Sequence, residues 1–461
     1  MTLDELAEKN VAIIGLGKEG LTTAKYLYSH GVKDITICDQ RSESDLKEEI
    51  HSLPLKPKTI LGGGYLQNLS QFDVCFRSPG VMYSKPEIQS AIKAGVDVYS
   101  GTRLFFDLCP AKIIAVTGTK GKGTTSSLLT GMLKGAGDHE VWLGGNIGIP
   151  PLEFLDNVKK EDLVVLELSS FQLQDLDKAP DYYIILNLYR DHLDAHRDFN
   201  EYSEAKLHIA GLLKPSNHLI INDNLRAKTA NSRAKVHTFG LGAVDTSDLD
   251  ARLIRDDEGG YSGVISQGQD IGQTKISFDK TKLTGEHNFL NCIAAGLCAN
   301  LLGVPAKHIQ DTINNLKPLE HRLEFVREIK GVRYINDSLA TVPESAVEAI
   351  KSFNSPVLLI AGGSSKGADY QVLAESVKKL GVKASILIGQ SKKDIHAALT
   401  REGLSPNEIF ETDTLDHAVR KAYEIAVPGD VVVLSPACAS FGMFKNYSER
   451  GDAYKKIVNG L

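Results

Sequence analysis

Gly118-Thr119-Lys120-Gly121-Lys122-Gly123-Thr124-Thr125 follows an apolar, β-branched run, Ile113-Ile-Ala-Val-Thr117, and precedes a helical pattern (SSLLTGMLKG). A buried strand that stops at glycines and gives way to a helix turns backbone N–H groups outward, with the positive end of the helix dipole behind them. That is a seat for a polyphosphate. Lys122 is placed to reach the outer phosphates, and a following hydroxyl to bind Mg²⁺. The spacing is G-x-x-G-K, shorter than the general G-x-x-x-x-G-K pattern, and it still points to a nucleoside triphosphate.

Other clusters add to this chemistry. Leu166-Glu167-Leu-Ser169-Ser170-Phe171-Gln172 closes a second apolar run with an acid and two hydroxyls, and Glu167 stands where a second ligand for the nucleotide's Mg²⁺ belongs. Asn187-Leu-Tyr-Arg-Asp191-His192-Leu-Asp194-Ala-His196 closes a third. Its H-x-D-x-H spacing suits a hydrolytic transition-metal site; beside a nucleotide, His192 reads instead as a ligand or orienter of a second divalent ion. Lys206 lies in a helical context (EYSEAKLHIA). From spacing alone it is a surface or salt-bridged lysine, because an ammonium has donors only and cannot bind a cation. Near the start, Gly15-Leu-Gly17-Lys-Glu-Gly20 matches the dinucleotide fingerprint, with Asp39 about where a ribose-binding acid belongs. Taken alone this fits an NAD-dependent dehydrogenase; it also fits a helix packed closely on a strand with no ligand.

Positioning these residues takes three α/β blocks, with joints at the stretches DLCPAK and NNLKPLEHR. Residues 1–109 open with a strand and glycine turn, then a helix (LTTAKYLYSHG) and a second strand ending at Asp39. Residues 110–317 carry the phosphate loop, the apolar runs VVLELSS, YYIILNL and HLIIND, and a polar stretch at 251–278 whose glycine turns read as antiparallel hairpins. Residues 318–461 alternate the strands VRYIND, PVLLIAGG, ASILIGQ and DVVVLSP with helical patterns. Such alternation predicts doubly wound parallel sheets with sites at the strand carboxyl ends.

Composition narrows the function classes. With 461 residues, about three domains are expected. A net charge of −6 gives no reason to expect nucleic acid as a partner. The opening MTLDELAEKN has neither a basic nor a long apolar segment, so no secretory signal is expected, and no run approaches the roughly 18 apolar residues of a membrane span. Six scattered cysteines with no C-x-x-C pairing predict reduced, buried thiols in a cytoplasmic protein rather than zinc or disulfides. Cys438 has no flanking base motif and is not read as a nucleophile.

Taken together, the chain resembles the Mur ligases. The stretches VAIIGLGKEG, RSPGV, VTGTKGKGTT, GGNIGIP, LELSSFQL, NLYRDHLD, EYSEAKL, GEHNFLN, HRLEF, INDSLAT, AGGSSKGADY and LSPACASFGMFKNYSERG occur in that family's order across all three blocks. The resemblance implies an α/β chain of three domains: a Rossmann-like N-terminal domain binding the UDP substrate, a central P-loop ATPase-like domain, and a Rossmann-like C-terminal domain binding glutamate and ATP. It further implies a monomeric ATP-dependent ligase of peptidoglycan precursor synthesis, and so of cell-wall biogenesis, cell shape and division. ATP would phosphorylate the carboxylate of UDP-N-acetylmuramoyl-L-alanine, and the glutamate amine would attack the acyl phosphate.

Residue by residue, the resemblance implies that Gly118, Thr119, Lys120, Gly121, Lys122, Gly123 and Thr124 hold ATP, with Asn288, Asn291, Arg322 and Asp337 completing its pocket. Thr124 and Glu167 would bind one Mg²⁺, His192 and a carbamylated Lys206 a second; the carbamate turns a donor into an anionic ligand. Lys122, His192 and Lys206 form the implied catalytic set. UDP would lie on Lys18, Glu19, Asp39, Gln40, Arg41, Ser78 and Gly80, and Asn146 and His192 would face the acceptor. Thr341, Lys366, Ser440 and Tyr447 would receive glutamate. This chain departs from the family's pattern at Gly123 after the lysine, where many relatives have a hydroxyl, leaving Thr124 or Thr125 for Mg²⁺. It departs also at Leu339 and Val342, where the family reads NDSKATN, and at Gly442, which replaces a common acid. The resemblance makes D-glutamate the expected amino acid, and these departures make L-glutamate the alternative. A folylpolyglutamate-synthase-like ligase and a nucleotide-binding regulator stand further off.

Overall fold

Ile113 and Ala115 face one buried core and Ile114 and Val116 another. A strand apolar on both faces needs cover on both, the condition for a parallel sheet between helices. A computed structural model, which describes residues 1–189, 198–242, 250–267, 271–283, 285–316, 320–353, 355–364, 370–440 and 442–461, places this strand, Lys112–Thr117, deep in a nine-stranded sheet. Its spatial order is Ile271–Ser277, Tyr261–Gln267, Ala251–Arg255, Lys235–Leu241, His218–Asn222, Tyr182–Ile185, Lys112–Thr117, Leu163–Glu167 and Val141–Gly145. The strands from Ala251–Arg255 onward are parallel. The first two add antiparallel, which are the hairpins expected at 251–278.

The first block forms five parallel strands in the order Lys58–Leu61, Ile35–Asp39, Val11–Ile14, Val74–Arg77 and Asp97–Tyr99. Strand order reverses between Val11–Ile14 and Val74–Arg77, where a doubly wound sheet opens a crevice at its carboxyl end. Its core is continuous with one face of the central sheet through Leu27, Phe105, Leu152 and Phe154, and the Phe105 and Phe154 rings meet edge-on at 5.6 Å. Residues Met1–Leu316 accordingly form one compact unit.

Lys317–Leu461 is a second unit. Its six strands run Glu324–Ile329, Val332–Asn336, Val431–Leu434, Val357–Gly363, Ala384–Gly389 and Ile409–Glu411, parallel except for the first pair. The two outer strands carry no clear sequence signal. Glu324–Ile329 is an edge strand with polar side chains and much of its length exposed, and Ile409–Glu411 is three residues long. Among the described residues no helix is long and apolar enough to cross a membrane, and all six cysteines are free thiols.

Candidate active site

The phosphate loop is built on backbone that glycine alone takes without strain. Gly121 caps the fifteen-residue helix Lys122–Ala136 at φ +87°, and a Cβ there would lie 2.3 Å from Asn291 Oδ1. Asn187, just past the strand Tyr182–Ile185, staples the loop. Its backbone carbonyl accepts from Thr119 N–H at 3.0 Å, its Oδ1 accepts from Lys120 N–H at 2.8 Å, and its Nδ2 donates to the Lys120 carbonyl at 2.9 Å. Tyr202 donates its hydroxyl to Thr119 Oγ1 at 2.8 Å. Lys122 Nζ donates to the carbonyls of Gly118 and Thr119, both at 3.0 Å, which draws the ammonium back over the loop. Thr124 and Thr125 are buried, and Thr125 Oγ1 has no hydrogen-bond partner among the described residues.

Pairing of Val116 with Glu167 sets the acid at the carboxyl end of the neighbouring strand. Glu167 is buried; its Oε1 accepts from Asn146 Nδ2 at 2.8 Å, and its carbonyl from Asn146 N–H at 2.8 Å. Lys206, on the helix Phe199–Leu212, is 1% exposed. Its Nζ donates to Thr117 Oγ1 at 3.2 Å and lies 5.0 Å from the Tyr202 ring centre. The surface reading from spacing is thus corrected: this helix packs against the end of the loop's own strand, a relation that only the tertiary fold makes visible. Asn291 is buried against Gly121, with Asn288 one turn earlier on the helix Glu286–Leu301. The structure therefore brings the loop, Asn146, Glu167, Lys206 and the two asparagines together. Carboxylate and hydroxyl oxygens are the donors Mg²⁺ prefers, and a buried hydroxyl with no hydrogen-bond partner in the first turn of the helix Lys122–Ala136, Thr125 Oγ1, fits such an ion. Among the described residues no cluster of three His, Cys, Asp or Glu side chains suits a metal by itself.

In the first block, Lys18, Glu19, Asp39, Gln40, Arg41, Ser78 and Gly80 all lie around the carboxyl end of the five-stranded sheet. Ser78 Oγ donates to the Gly15 carbonyl at 2.5 Å, closing the switch point. Burial alone would raise the Asp39 carboxyl, yet hydrogen bonds from Arg41 and from Leu16 N–H, the latter at 2.7 Å, hold it below the usual range. Glu19 is engaged differently: Gln172 Nε2 donates to its Oε1 at 2.8 Å. Burial pushes its pKa up to about 7 against that bond and the Arg77 charge. Gln172 is free to do this because its Oε1 closes a capping box with Ser169 N–H at 2.9 Å. The pattern Ser169-x-x-Gln172 foretells the cap and not the contact. Lys18 Nζ reaches the Gly148 carbonyl at 3.0 Å. Arg77, which the sequence does not single out, is fully buried; it donates to the carbonyls of Val81 and Phe171 and pairs with Asp175 at 3.3 Å.

In the second unit, Asp337 follows the strand Val332–Asn336 and is buried, accepting from Leu323 N–H at 3.1 Å and Ser435 Oγ at 2.7 Å. Thr341 lies further along the same loop, Arg322 just before Leu323, and Ser440 beyond the adjacent strand Val431–Leu434. Tyr447 opens the helix Tyr447–Asn459, and its carbonyl accepts from Ser338 Oγ at 2.8 Å. Gly442 has φ +86°, so an acid there would cost about 1–2 kcal/mol in backbone strain. Burial raises the Cys438 thiol, which sits between Tyr370 OH and Ser391 Oγ, each at 3.1 Å. His192 and Lys366 lie outside the described residues.

Comparison with known proteins agrees with this geometry. Residues 9–100 match the model described as Mur ligase MurD-like, N-terminal domain; residues 116–299 the Mur ligase middle domain; and residues 321–438 the Mur ligase, glutamate ligase domain. The chain is 38% identical to the UDP-N-acetylmuramoylalanine--D-glutamate ligase of Acetivibrio thermocellus, over 99% of this chain and 97% of the relative. It is 37% identical to the ligase of the same name from Symbiobacterium thermophilum, over 98% of each. Among solved structures, the UDP-N-acetylmuramate-alanine ligase MurC of Thermotoga maritima superposes with TM-score 0.58 at 18% identity, over 98% of this chain and 100% of that one. The MurF ligase of Thermotoga maritima in complex with ADP does so with TM-score 0.56 at 18% identity, over 100% and 97%. At such identities these two structures speak for the fold.

Proposed function

From the premise that the chain belongs to the Mur ligase family, we propose that it joins D-glutamate to UDP-N-acetylmuramoyl-L-alanine at the expense of ATP, in peptidoglycan precursor synthesis, and that the residues above divide the work. The L-glutamate alternative is not favoured, since eight relatives at 35–38% identity are named for D-glutamate. The observation that carries the assignment of roles is the meeting of the phosphate loop, Glu167 and Lys206 at the carboxyl ends of neighbouring strands in one sheet.

Lys122 turns from the loop carbonyls to the β/γ-phosphates, adding its charge to the loop N–H groups and the helix dipole. Asn291 and Asn288 border the nucleotide, and the family resemblance assigns Arg322 and Asp337 to ATP as well. Thr124 and Glu167 would hold one Mg²⁺, and His192 and a carbamylated Lys206 a second, which would supply positive charge against the transferring phosphoryl oxygens. Asn146, fixed by Glu167, faces the acceptor. The acceptor carboxylate takes the γ-phosphoryl group and ADP leaves. The uncharged amine of D-glutamate then attacks the acyl carbon, and the tetrahedral adduct expels phosphate as the amide forms. Thr341, Lys366, Ser440 and Tyr447 orient the amino acid, with Lys366 and the hydroxyls on its carboxylates. Gln40, Arg41, Ser78 and Gly80 border the UDP crevice, with Asp39 orienting Arg41. Six free thiols suit a reducing cytoplasm, where we place the chain as a monomer. Acceptor labelled with oxygen-18 in its carboxylate tests the route: the released phosphate should carry one labelled oxygen, and unlabelled phosphate would rule out the acyl phosphate.

A further inference from the structure

Arg450 is a buried cation of the second unit. It is 1% exposed, on the helix Tyr447–Asn459, and no carboxylate pairs with it among the described residues. Among the described residues its side-chain hydrogen bonds all go to two loops. Nε donates to Ser338 Oγ at 3.0 Å and Nη2 to the Ser338 carbonyl at 2.8 Å, gripping one loop by side chain and backbone together. Nη1 donates to the Cys438 carbonyl of the other loop at 3.0 Å. Those loops leave adjacent parallel strands, paired Asn336 to Leu434, and they carry Thr341 and Ser440. A third connection closes in here: the strand Val357–Gly363 ends beside the fork, where a Cβ on Gly363 would lie 3.2 Å from Arg450 Nη1 and 2.3 Å from the Ala439 carbonyl.

The fork holds backbone that would not keep its shape unaided. Ala437, next to Cys438, has φ +58°, a left-handed conformation costly for a residue with a side chain. Ser338 is bound on both sides, giving its hydroxyl to the Tyr447 carbonyl while accepting from Arg450. Asp337, by contrast, is anchored independently of Arg450, by Leu323 N–H and Ser435 Oγ. The nucleotide end of this loop therefore has its own support, and toward Thr341 the guanidinium's hold on Ser338 is joined by the Leu339 N–H bond to the His321 carbonyl at 2.9 Å. A planar fork can hold three acceptors on two loops at fixed angles, which a lysine's point charge cannot.

We propose that Arg450 is a positioning residue of the amino-acid site, fixing the separation of the loops that carry Thr341 and Ser440 and so setting the affinity for glutamate. The inference rests on the assignment of the glutamate site to these loops. The test is steady-state kinetics of full-length Arg450→Lys and Ser338→Ala, with far-UV circular dichroism and thermal midpoints in parallel. Arg450→Lys keeps the charge and loses the fork; Ser338→Ala removes one of its acceptors and spares the guanidinium. The expected result is a rise of at least tenfold in the D-glutamate KM for Arg450→Lys and a smaller rise for Ser338→Ala. The KM values for ATP and the UDP-linked acceptor stay within twofold in both. Equal increases in all three KM values, or loss of kcat with unchanged KM values, would overturn the positioning role. If Arg450→Lys does not fold, Ser338→Ala decides: an unchanged glutamate KM there overturns the proposal. A wild-type enzyme that turns over with no glutamate would instead refute the functional reading on which the inference stands.

Discussion

Replacing Asn187 with leucine removes a side chain of similar size whose two hydrogen bonds hold the phosphate loop, and it leaves the backbone bond from Thr119 in place. The lost bonds are those to Lys120 N–H at 2.8 Å and to the Lys120 carbonyl at 2.9 Å. At a net worth of about 1 kcal/mol each, their loss weakens the phosphate-binding form of the loop by about 2 kcal/mol, or roughly thirtyfold in affinity at 1.36 kcal/mol per tenfold. The penalty is expected on ATP, because both hydrogen bonds of the Asn187 side chain go to Lys120 of the phosphate loop. Phosphate-release kinetics should show the KM for ATP raised roughly thirtyfold and that for the acceptor within threefold. Asn187→Asp should be worse, since it keeps the acceptor for Lys120 N–H and sets a carboxylate against the Lys120 carbonyl and the incoming phosphates. An Asn187→Leu enzyme whose ATP KM stays within twofold of wild type would refute the view that this side chain shapes the loop.

Gly121→Ala forces an L side chain into φ +87° and drives its Cβ onto Asn291 Oδ1; we expect kcat/KM for ATP to fall by at least about a hundredfold, and wild-type kinetics would show that the loop rearranges before binding. Lys206→Ala should be largely inactive and partly restored by small carboxylates such as formate or acetate, whereas full activity without them would make Lys206 a packing residue only. Glu19→Gln tests the buried carboxyl of the first block. Its folded pKa of about 7 lies above the usual 4.5, so its stabilising contribution is complete below about 4.5 and is lost as pH rises to 7. The variant should therefore melt higher than wild type at pH 8, and the two should converge toward pH 4.5; parallel melting curves across that range would disprove the elevated pKa. Lys366→Ala should raise the glutamate KM far more than the ATP KM, and equal effects would argue against direct contact with glutamate.

The features legible in the sequence are those written in consecutive residues. The phosphate loop is one such case, because strand, glycine turn, lysine and helix dipole occupy a dozen neighbouring positions. The hairpins at 251–278 are another, since glycine turns between alternating strands state their own pairing. Lys206 shows the limit. Its spacing reads as surface, and it is buried only because the helix Phe199–Leu212 packs on the end of Lys112–Thr117, 89 positions away from its Thr117 partner in the chain. The family resemblance implies a role for it that spacing does not. Arg77 with Asp175, Gln172 with Glu19, and Arg450 with its two loops are the same kind of case. Each residue is ordinary in its own segment and acquires meaning from a carbonyl or carboxylate that folding delivers. Gly442 runs the other way: a departure from the family's acid at that position is matched by a left-handed backbone that glycine suits.

The D-glutamate ligase reaction itself is open to direct measurement. Phosphate release should be measured with ATP, Mg²⁺ and UDP-N-acetylmuramoyl-L-alanine, adding D-glutamate or L-glutamate in separate reactions. ADP and phosphate should form stoichiometrically and depend on D-glutamate, with L-glutamate near background; release driven by L-glutamate, or by neither, would refute the D-glutamate ligase assignment.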